Sequence, residues 1–220
     1  MSSNLDSGDS SPAPHHPSTD SLLQAVQAFQ QKTGDRPSSK TMVTALVQAE
    51  KHCKQHRNTY SVESLLGTWR FRFGASRKSR NIAGVVQGSG FYVPSWINAT
   101  LAFAHTPDSK SSTPSTSDIP KFPILTITNA LQLGAVRLQL TGPAKYLDGK
   151  NLMAFDFHQM EVTVGRKQLY AGALPGRSPQ TEDFQQQAIG KLPFFAFIAA
   201  TDDYIAARGR GGGLALWSKE

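Results

Sequence analysis

Apolar residues recur at two different spacings along the chain, and the change comes near residue 60. Before that point two stripes repeat at helical spacing: Leu22, Val26 and Phe29, then Met42 and Leu46. Ser38 or Ser39 is expected to cap the second helix at its N-terminus. The pattern therefore predicts a disordered tail over residues 1–18 and two helices within residues 19–58.

After residue 60 apolar and polar residues alternate, as they do in a strand with one buried face. The first such segment, GTWRFRFG, places three aromatic side chains opposite two arginines: Trp69, Phe71 and Phe73 against Arg70 and Arg72. About eight to ten short segments of this kind, separated by turns, predict an antiparallel β-barrel over residues 61–220. A parallel βαβ sheet would need a helical pattern after each strand, and none is present. A β-sandwich remains an alternative.

Two segments are expected to interrupt the strands. The stretch over residues 106–120 is rich in Ser, Thr and Pro, which is typical of a mobile loop. Residues 178–190, SPQTEDFQQQAIG, predict one short helix before the last strands, with Ser178 as its cap, Pro179 in its first turn and Gly190 just past its end. The expected fold class is thus mainly β, an antiparallel barrel with two N-terminal helices and this short helix.

The apolar face of the predicted strands raises the question of what fills the barrel. A barrel of about eight strands can hold one small ligand, and an apolar interior suits a hydrophobic one. The same side chains can instead pack against one another as a filled core, and both interpretations stay open. The candidate ligand-lining residues are Trp69, Phe71, Phe73, Tyr92, Phe103, Leu138, Phe155 and Phe157.

Near the end of the chain, the segment RGRGGG has two interpretations. Arginine–glycine repeats bind nucleic acid from disordered segments. Here a single copy lies between two strand-like segments, YIAA and LALW, which favours a tight turn in which glycine lets the backbone pass closely. Nucleic acid is therefore an unlikely partner.

The chain carries a formal net charge of +7. The basic excess is concentrated between Lys51 and Arg80, and such a patch attracts phosphate, nucleic acid or an anionic lipid surface. The residues predicted to form this membrane or anion patch are Arg70, Arg72, Arg77, Lys78 and Arg80. Cys53 is the only cysteine, so no disulfide can form within the chain.

Two motifs carry a resemblance to a known family. SLLGTWRFRF and DDYIAARGRGGGLALW resemble the entering and closing strands of the plastid lipid-associated proteins, or fibrillins, of plants and cyanobacteria. The resemblance spans residues 61–217 and rests on the two ends of this region. It implies a lipocalin-like barrel in which Trp69, after Gly67, closes one end and an arginine covers the indole ring. Arg208 or Arg210 is implied for that cover, and Gly209 between them is implied to belong to the same barrel closure.

The family resemblance also implies a function. Fibrillins associate with thylakoids or lipid droplets and are thought to bind isoprenoid-type lipids such as carotenoids or quinones. The expectation is therefore non-enzymatic binding of such a lipid by a protein peripheral to the thylakoid. It would lie on the cytoplasmic side in a cyanobacterium, or in a plastid if this is a mature plant protein. No cofactor is expected.

Enzymatic alternatives have weaker support in the sequence. The main one is a lipocalin-like lyase or carrier for bilin chromophores of phycobiliproteins, in which Arg137 or Arg166 would contact the propionates. A Gly-x-Ser-x-Gly nucleophile motif is missing, and Asp202–Asp203 is expected to lie in a turn. His52 and His56 have a helical spacing that suits a metal, but no third ligand is near them, so no metal site is predicted.

Overall fold

A computed structural model describes residues 17–31, 35–82, 85–106, 124–176 and 184–220. The two predicted helices are present: α1 (Pro17–Gln30) and α2 (Ser39–His56). Ser38 caps α2, because its Oγ accepts a hydrogen bond of 3.1 Å from the amide of Thr41. The first helix begins inside the segment predicted as a tail, and the rest of that segment, residues 1–16, lies outside the described residues.

Thirteen strands occupy most of the remaining described residues. They are β1 (Gly67–Ala75), β2 (Arg80–Ile82), β3 (Val85–Gln87), β4 (Gly90–Tyr92), β5 (Ile97–His105), β6 (Ile124–Leu133), β7 (Val136–Leu147), β8 (Leu152–Phe155), β9 (Gln159–Val164), β10 (Lys167–Ala173), β11 (Phe194–Ala200), β12 (Tyr204–Gly209) and β13 (Leu214–Lys219).

Eight of these strands close into a barrel. Their order is β7-β6-β5-β1-β13-β12-β11-β8, and β8 returns to pair with β7. The last strand of the chain therefore lies beside the first, with Trp217 of β13 opposite Phe71 of β1. Every pairing in the sheet is antiparallel. The predicted fold class, a mainly β, lipocalin-like antiparallel barrel after two helices, is confirmed.

Strand β7 is long enough to belong to two structures. Its C-terminal part pairs with β8 in the barrel, while its N-terminal part pairs with β9, which in turn pairs with β10. The β9–β10 hairpin thus projects from the wall of the barrel. At the point of divergence stands Gly142, where a Cβ would overlap the backbone oxygen of Asp156. Glycine lets the kinked backbone between β8 and β9 pass against β7 there.

The two helices pack on the outside of the barrel rather than across an opening. Apolar residues of α1 and α2, including Leu22, Val26 and Leu46, share one core with the outward side chains of β11, β12 and β13. The residues next to these on the same strands point into the barrel. On β12, for example, Tyr204 packs with the helices, whereas Ile205 lies inside the barrel. The wall of the barrel therefore separates two cores, because successive side chains of a strand face opposite sides.

The first strand departs from the predicted alternation. Phe71 is opposite Trp217 and Phe73 is opposite Leu216, so Arg72 is an extra residue in a β-bulge. Trp69 and Phe71 consequently face the interior, whereas Phe73 faces the helices. The prediction that all three aromatic residues share a face is wrong, because one extra residue reverses the parity of every side chain after it.

The barrel has a mouth end and a closed end. The register of β5, β6 and β7 brings the turns at residues 93–96 and 134–135 to the mouth end, together with the β12–β13 turn at residues 210–213. At the closed end lie the turns at Asp148–Lys150 and residues 201–203, and the 3-10 helix Glu63–Leu65.

The two interrupting segments are only partly described. Residues 107–120 of the predicted loop and residues 178–183 of the predicted short helix, which include Ser178 and Pro179, lie outside the described residues. Within the described part of this segment, from residue 184 on, the helix is one 3-10 turn, Ile189–Lys191, so Gly190 lies within that turn rather than past its end. Among the described residues no helix has the length and apolar character needed to cross a membrane.

Candidate functional site

A cavity of about 430 Å³ opens at the mouth end of the barrel. This volume falls in the range of about 300–1,000 Å³ that is typical of small-molecule sites. In the part of the chain that the structure describes, all of its lining side chains are apolar except that of Asn129. The lining residues are Phe71, Phe91, Val93, Pro94, Ile97, Ala99, Asn129, Leu131, Leu138 and Leu140.

Strand alternation explains how these residues come together. Asn129 of β6 is opposite Leu140 of β7, and Leu131 is opposite Leu138, so four consecutive inward positions form one patch of wall. Ala99 of β5 lies opposite Leu131 and extends the patch. Because these side chains meet the open cavity rather than one another, Leu131, Leu138 and Leu140 stay only half-buried. A half-buried apolar wall of this kind would gain free energy from an apolar ligand.

A row of aromatic rings borders the cavity toward the barrel interior. Neighbouring ring centroids are 5.0 Å apart for Phe155 and Phe195, 5.5 Å for Phe195 and Trp217, and 5.7 Å for Trp217 and Phe71. Phe157 extends the row on one side, 5.2 Å from Phe155. These separations are typical of attractive aromatic pairs.

Below this row the barrel is filled. Trp69, Phe103 and Tyr146 are almost completely buried and pack with Leu125, Ile127 and Met153. Thus both interpretations of the interior hold in part, since the closed half is a packed core and the mouth half is hollow.

The closed end is sealed around Trp69. Its indole Nε1 donates a hydrogen bond of 2.8 Å to the carbonyl of Leu65, in the 3-10 helix that crosses this end. The ammonium of Lys219 lies 4.1 Å from the ring centroid and donates to the carbonyl of Leu66. This cation–π contact replaces the arginine implied by the family resemblance.

The expected arginine cover over Trp69 is therefore wrong. Arg208 and Arg210 lie near the mouth end of β12, while Trp69 lies at the other end of β1. Arg210 donates to the carbonyls of Lys191 and Leu192. Because a strand's length separates the two ends, neither arginine reaches the indole, whereas Lys219 at the end of β13 does.

Arg208 instead links the barrel to α2. Its guanidinium donates to both carboxylate oxygens of Glu50, with an Nε–Oε1 distance of 2.8 Å, and to the carbonyls of Ser79 and Gly212. Burial alone would raise the pKa of Glu50, but the hydrogen bonds and charges of Arg208 and Lys54 outweigh it and hold that pKa below its ordinary value.

The RGRGGG segment forms the turn between β12 and β13. The amide of Gly209 donates to the carbonyl of Gly213, and Gly212 has a φ of +88°, a conformation that favours glycine. The segment has the structure of a tight turn, as the flanking strand patterns predict.

Of the eight candidate lining residues, the structure places two on the cavity, Phe71 and Leu138. Phe155 and Phe157 belong to the bordering aromatic row, and Trp69 and Phe103 to the filled half. The prediction that Phe73 and Tyr92 line the ligand site is wrong, because both lie outside the barrel under the helices. There the Tyr92 hydroxyl donates a hydrogen bond to the carbonyl of Pro37. The bulge at Arg72 puts Phe73 there, and Tyr92 follows it as its partner in β4.

Most residues of the cavity wall are not among the predicted lining residues. Ile97, Ala99, Leu131 and Leu140 share the parity of Leu138 or of the buried residues on their own strands. Alternation along β5 and β6 places Ile97, Ala99 and Leu131 inside once Leu101 and Ile127 are assigned inward, and alternation along β7 places Leu140 with Leu138. Phe91 and Pro94 carried no such signal, because they come from a short strand and a turn.

The basic patch predicted between Lys51 and Arg80 does not form one surface. The C-terminal end of α2 reaches the closed end, where Asn151 donates to the carbonyl of Asn58, whereas Arg77, Lys78 and Arg80 are exposed near the mouth end. Arg70 and Arg72 lie between, half-buried on the outer face of β1.

Arg72 has an unusual environment for an arginine. Its guanidinium lies 4.8 Å from the Phe29 ring and its Nε donates to Ser218. Burial, together with the charges of Arg70 and Arg36, lowers the pKa of Arg72 to about 10.

The chemistry-bearing groups considered for catalysis or metal binding lie away from the cavity. The rings of His52 and His56 stack at 4.0 Å on α2, and no group of three potential ligands occurs among the described residues. Asp202 and Asp203 lie in the β11–β12 turn at the closed end. Arg137 lies on the outer face of β7, where it donates to Gln139, and Arg166 lies in the β9–β10 turn.

Comparison with known proteins gives no family for this chain. No family model matches it, and no curated protein matches it.

Proposed function

We propose that this protein binds a hydrophobic, isoprenoid-type lipid, such as a quinone or carotenoid, in the mouth cavity of its barrel without transforming it. The observation that carries the proposal is the division of the interior into a packed half and a hollow apolar half. A barrel that served only as a scaffold would gain stability by filling the second half as well.

The chemistry of the cavity wall supports an apolar ligand. Among the described residues, Asn129 is the single polar side chain on the wall, and an amide of this kind can orient a ligand's carbonyl or hydroxyl without supplying acid–base chemistry. The groups that could perform such chemistry, His158 and the Asp202–Asp203 pair, do not line the cavity.

The family resemblance of the first and last strands supports the same class of ligand. Fibrillins are lipocalin-like and are thought to bind isoprenoid lipids at thylakoids, and in this chain the two motifs lie side by side as β1 and β13. We extend the proposal to a peripheral thylakoid location, on the cytoplasmic side in a cyanobacterium or within a plastid. To test that location, the protein is purified from its native cells and the pigments and quinones that accompany it are identified.

A binding assay with a fluorescent isoprenoid tests the proposal directly. Retinol fluorescence is titrated with the protein, and a short-chain plastoquinone analogue serves as competitor. We expect saturable binding that Leu138→Trp weakens by about tenfold, because the indole fills the cavity that the ligand would occupy.

The matched control is Gln139→Ala, one residue away on the opposite face of β7. Retinol affinity should be unchanged in that variant. Equal affinity in wild type and in a folded Leu138→Trp variant would overturn the proposal, as would the absence of saturable binding in the wild type.

A further inference from the structure

Several turns meet at the mouth end of the barrel. Ile97 pairs with Leu133, Leu133 with Val136, and Val136 with Val164, so the turns preceding β5, between β6 and β7, and between β9 and β10 lie in one row. This row of turns forms one side of the rim around the cavity opening, because the neighbouring residues Ile97, Leu131 and Leu138 line the cavity itself.

The side chains of this row are apolar and exposed, whereas exposed turn residues are usually polar. Trp96 is 70 % exposed and Phe91, on the cavity wall, is 59 % exposed. Leu133, Val136 and Val164 are exposed at the tips of their hairpins. A contiguous set of exposed large apolar side chains marks an interaction surface.

Basic side chains accompany this apolar row. Arg137, Arg166 and Lys167 are exposed on the two hairpins, and Arg77 and Lys78 are exposed on the turn after β1. The described turn residues at this end, residues 76–79, 88–89, 93–96, 134–135, 165–166 and 210–213, include no acid.

The closed end carries charges of both signs. The acids Glu63, Asp148, Asp202 and Asp203 are exposed there, in or beside the connections between strands, together with the basic residues Arg57 and Lys150. Because acids accompany the basic residues at the closed end but not in the described turns of the mouth end, an anionic surface would attract the mouth end more strongly.

We propose that the mouth end docks on an anionic lipid bilayer, with Trp96 and the tips of the β6–β7 and β9–β10 hairpins in the headgroup region. This rests on the proposed function and adds the route by which the lipid enters. With the mouth foremost, the cavity opens toward the hydrocarbon, so an apolar ligand crosses no aqueous gap.

The combination of side chains favours a bilayer as the occupant of this surface. Tryptophan prefers the interface between headgroups and hydrocarbon, and arginine and lysine bind lipid phosphates or sulfates at the same depth. The apolar side chains lie at the ends of separate hairpins, an arrangement that suits insertion among headgroups.

Vesicle sedimentation tests the orientation. Wild-type protein should sediment with vesicles of phosphatidylcholine and phosphatidylglycerol, and much less with phosphatidylcholine alone or in about 1 M salt. Trp96→Ser, and separately the pair Arg166→Glu and Lys167→Glu, should each weaken binding by about tenfold. Lys150→Glu reverses a charge at the closed end as a matched control, and its binding should match the wild type.

Tryptophan fluorescence gives a second measurement. Trp69 and Trp217 are buried, so the emission change on adding vesicles should come from Trp96 and disappear in Trp96→Phe. Unchanged vesicle binding in both mouth variants would overturn the proposal. Equal binding to neutral and anionic vesicles would also overturn it, as would a lack of binding to both, which would leave the surface to a protein partner.

Retinol titration without vesicles separates this proposal from the proposed function. The mouth variants Arg166→Glu and Lys167→Glu should bind retinol as the wild type does, because neither residue lines the cavity. Normal retinol binding with failed docking would refute the orientation alone, whereas failed retinol binding in the wild type would refute the lipid site.

Discussion

At the scale of single residues, the tertiary structure gives charged side chains roles that their neighbours along the chain do not indicate. Lys219, the penultimate residue, covers the Trp69 ring and seals the closed end. Arg208, within a segment that resembles a nucleic-acid motif, is paired with Glu50 on α2. Both contacts join residues more than a hundred positions apart, so they depend on the closure of the barrel.

The pairing of Glu50 with Arg208 predicts a pH-dependent stability. Glu50→Gln leaves a largely buried guanidinium without its counter-charge, and we expect a loss of about 2 kcal/mol in the free energy of unfolding at pH 7. Because the folded protein lowers the pKa of Glu50, this contribution is present above the ordinary carboxyl range and is lost as the pH falls through the folded pKa.

Urea unfolding at several pH values measures this effect. The difference between wild type and Glu50→Gln should shrink as the pH falls below about 4. Glu63→Gln, at an exposed residue of the closed end, is the control and should differ little from the wild type at any pH. A constant difference across the pH range would contradict the assignment of the carboxylate's role.

At the scale of elements, two irregularities shape the barrel. The bulge at Arg72 turns the second half of β1 toward the helices, which lets one strand serve both cores. The kink between β8 and β9 redirects the chain from the barrel to the projecting hairpin, opposite Gly142. The alternation of apolar and polar residues predicts neither irregularity, because each is defined by how strands pair with one another.

The kink predicts an unusually intolerant glycine. In Gly142→Ala the new methyl group would overlap the backbone of Asp156, so we expect a loss of about 3 kcal/mol in the free energy of unfolding. Gly149→Ala is the matched control, since a Cβ there meets nothing within 4 Å. Thermal unfolding of the two variants measures the difference, and similar melting temperatures would show that the chain between β8 and β9 does not pass against Gly142 in this way.

At the scale of the whole molecule, the barrel wall separates a structural core from the candidate binding site. The helices stabilise the outer face of β11, β12 and β13, while the cavity lies inside the barrel at its mouth. Stability and ligand affinity should therefore respond to different residues.

Leu46→Ala tests this separation. Leu46 is completely buried between α2 and the barrel, so its truncation should cost about 3 kcal/mol of unfolding free energy. The folded variant should nevertheless bind retinol with wild-type affinity, because the substitution lies outside the barrel wall. Gln48→Ala, at an exposed residue of the same helix, serves as control for stability. A large loss of retinol affinity in Leu46→Ala would indicate that the two cores are coupled.

Much of the architecture follows from the sequence alone. The change of period near residue 60 determined the two helices and the antiparallel strands, because helix and strand faces are set by local backbone geometry. The same periodicity placed Leu138 and Leu140 on one face of their strand, and the flanking strand patterns predicted the turn at residues 210–213.

Only the tertiary structure decided which face is inside, where parity reverses and which ends meet. Phe73 and Tyr92 moved outside because a one-residue bulge reverses alternation, and the predicted basic patch divided because α2 and the turn after β1 end at opposite ends of the barrel. The hollow half of the barrel likewise depends on how strands from distant parts of the chain pack, which local patterns of apolar residues do not encode.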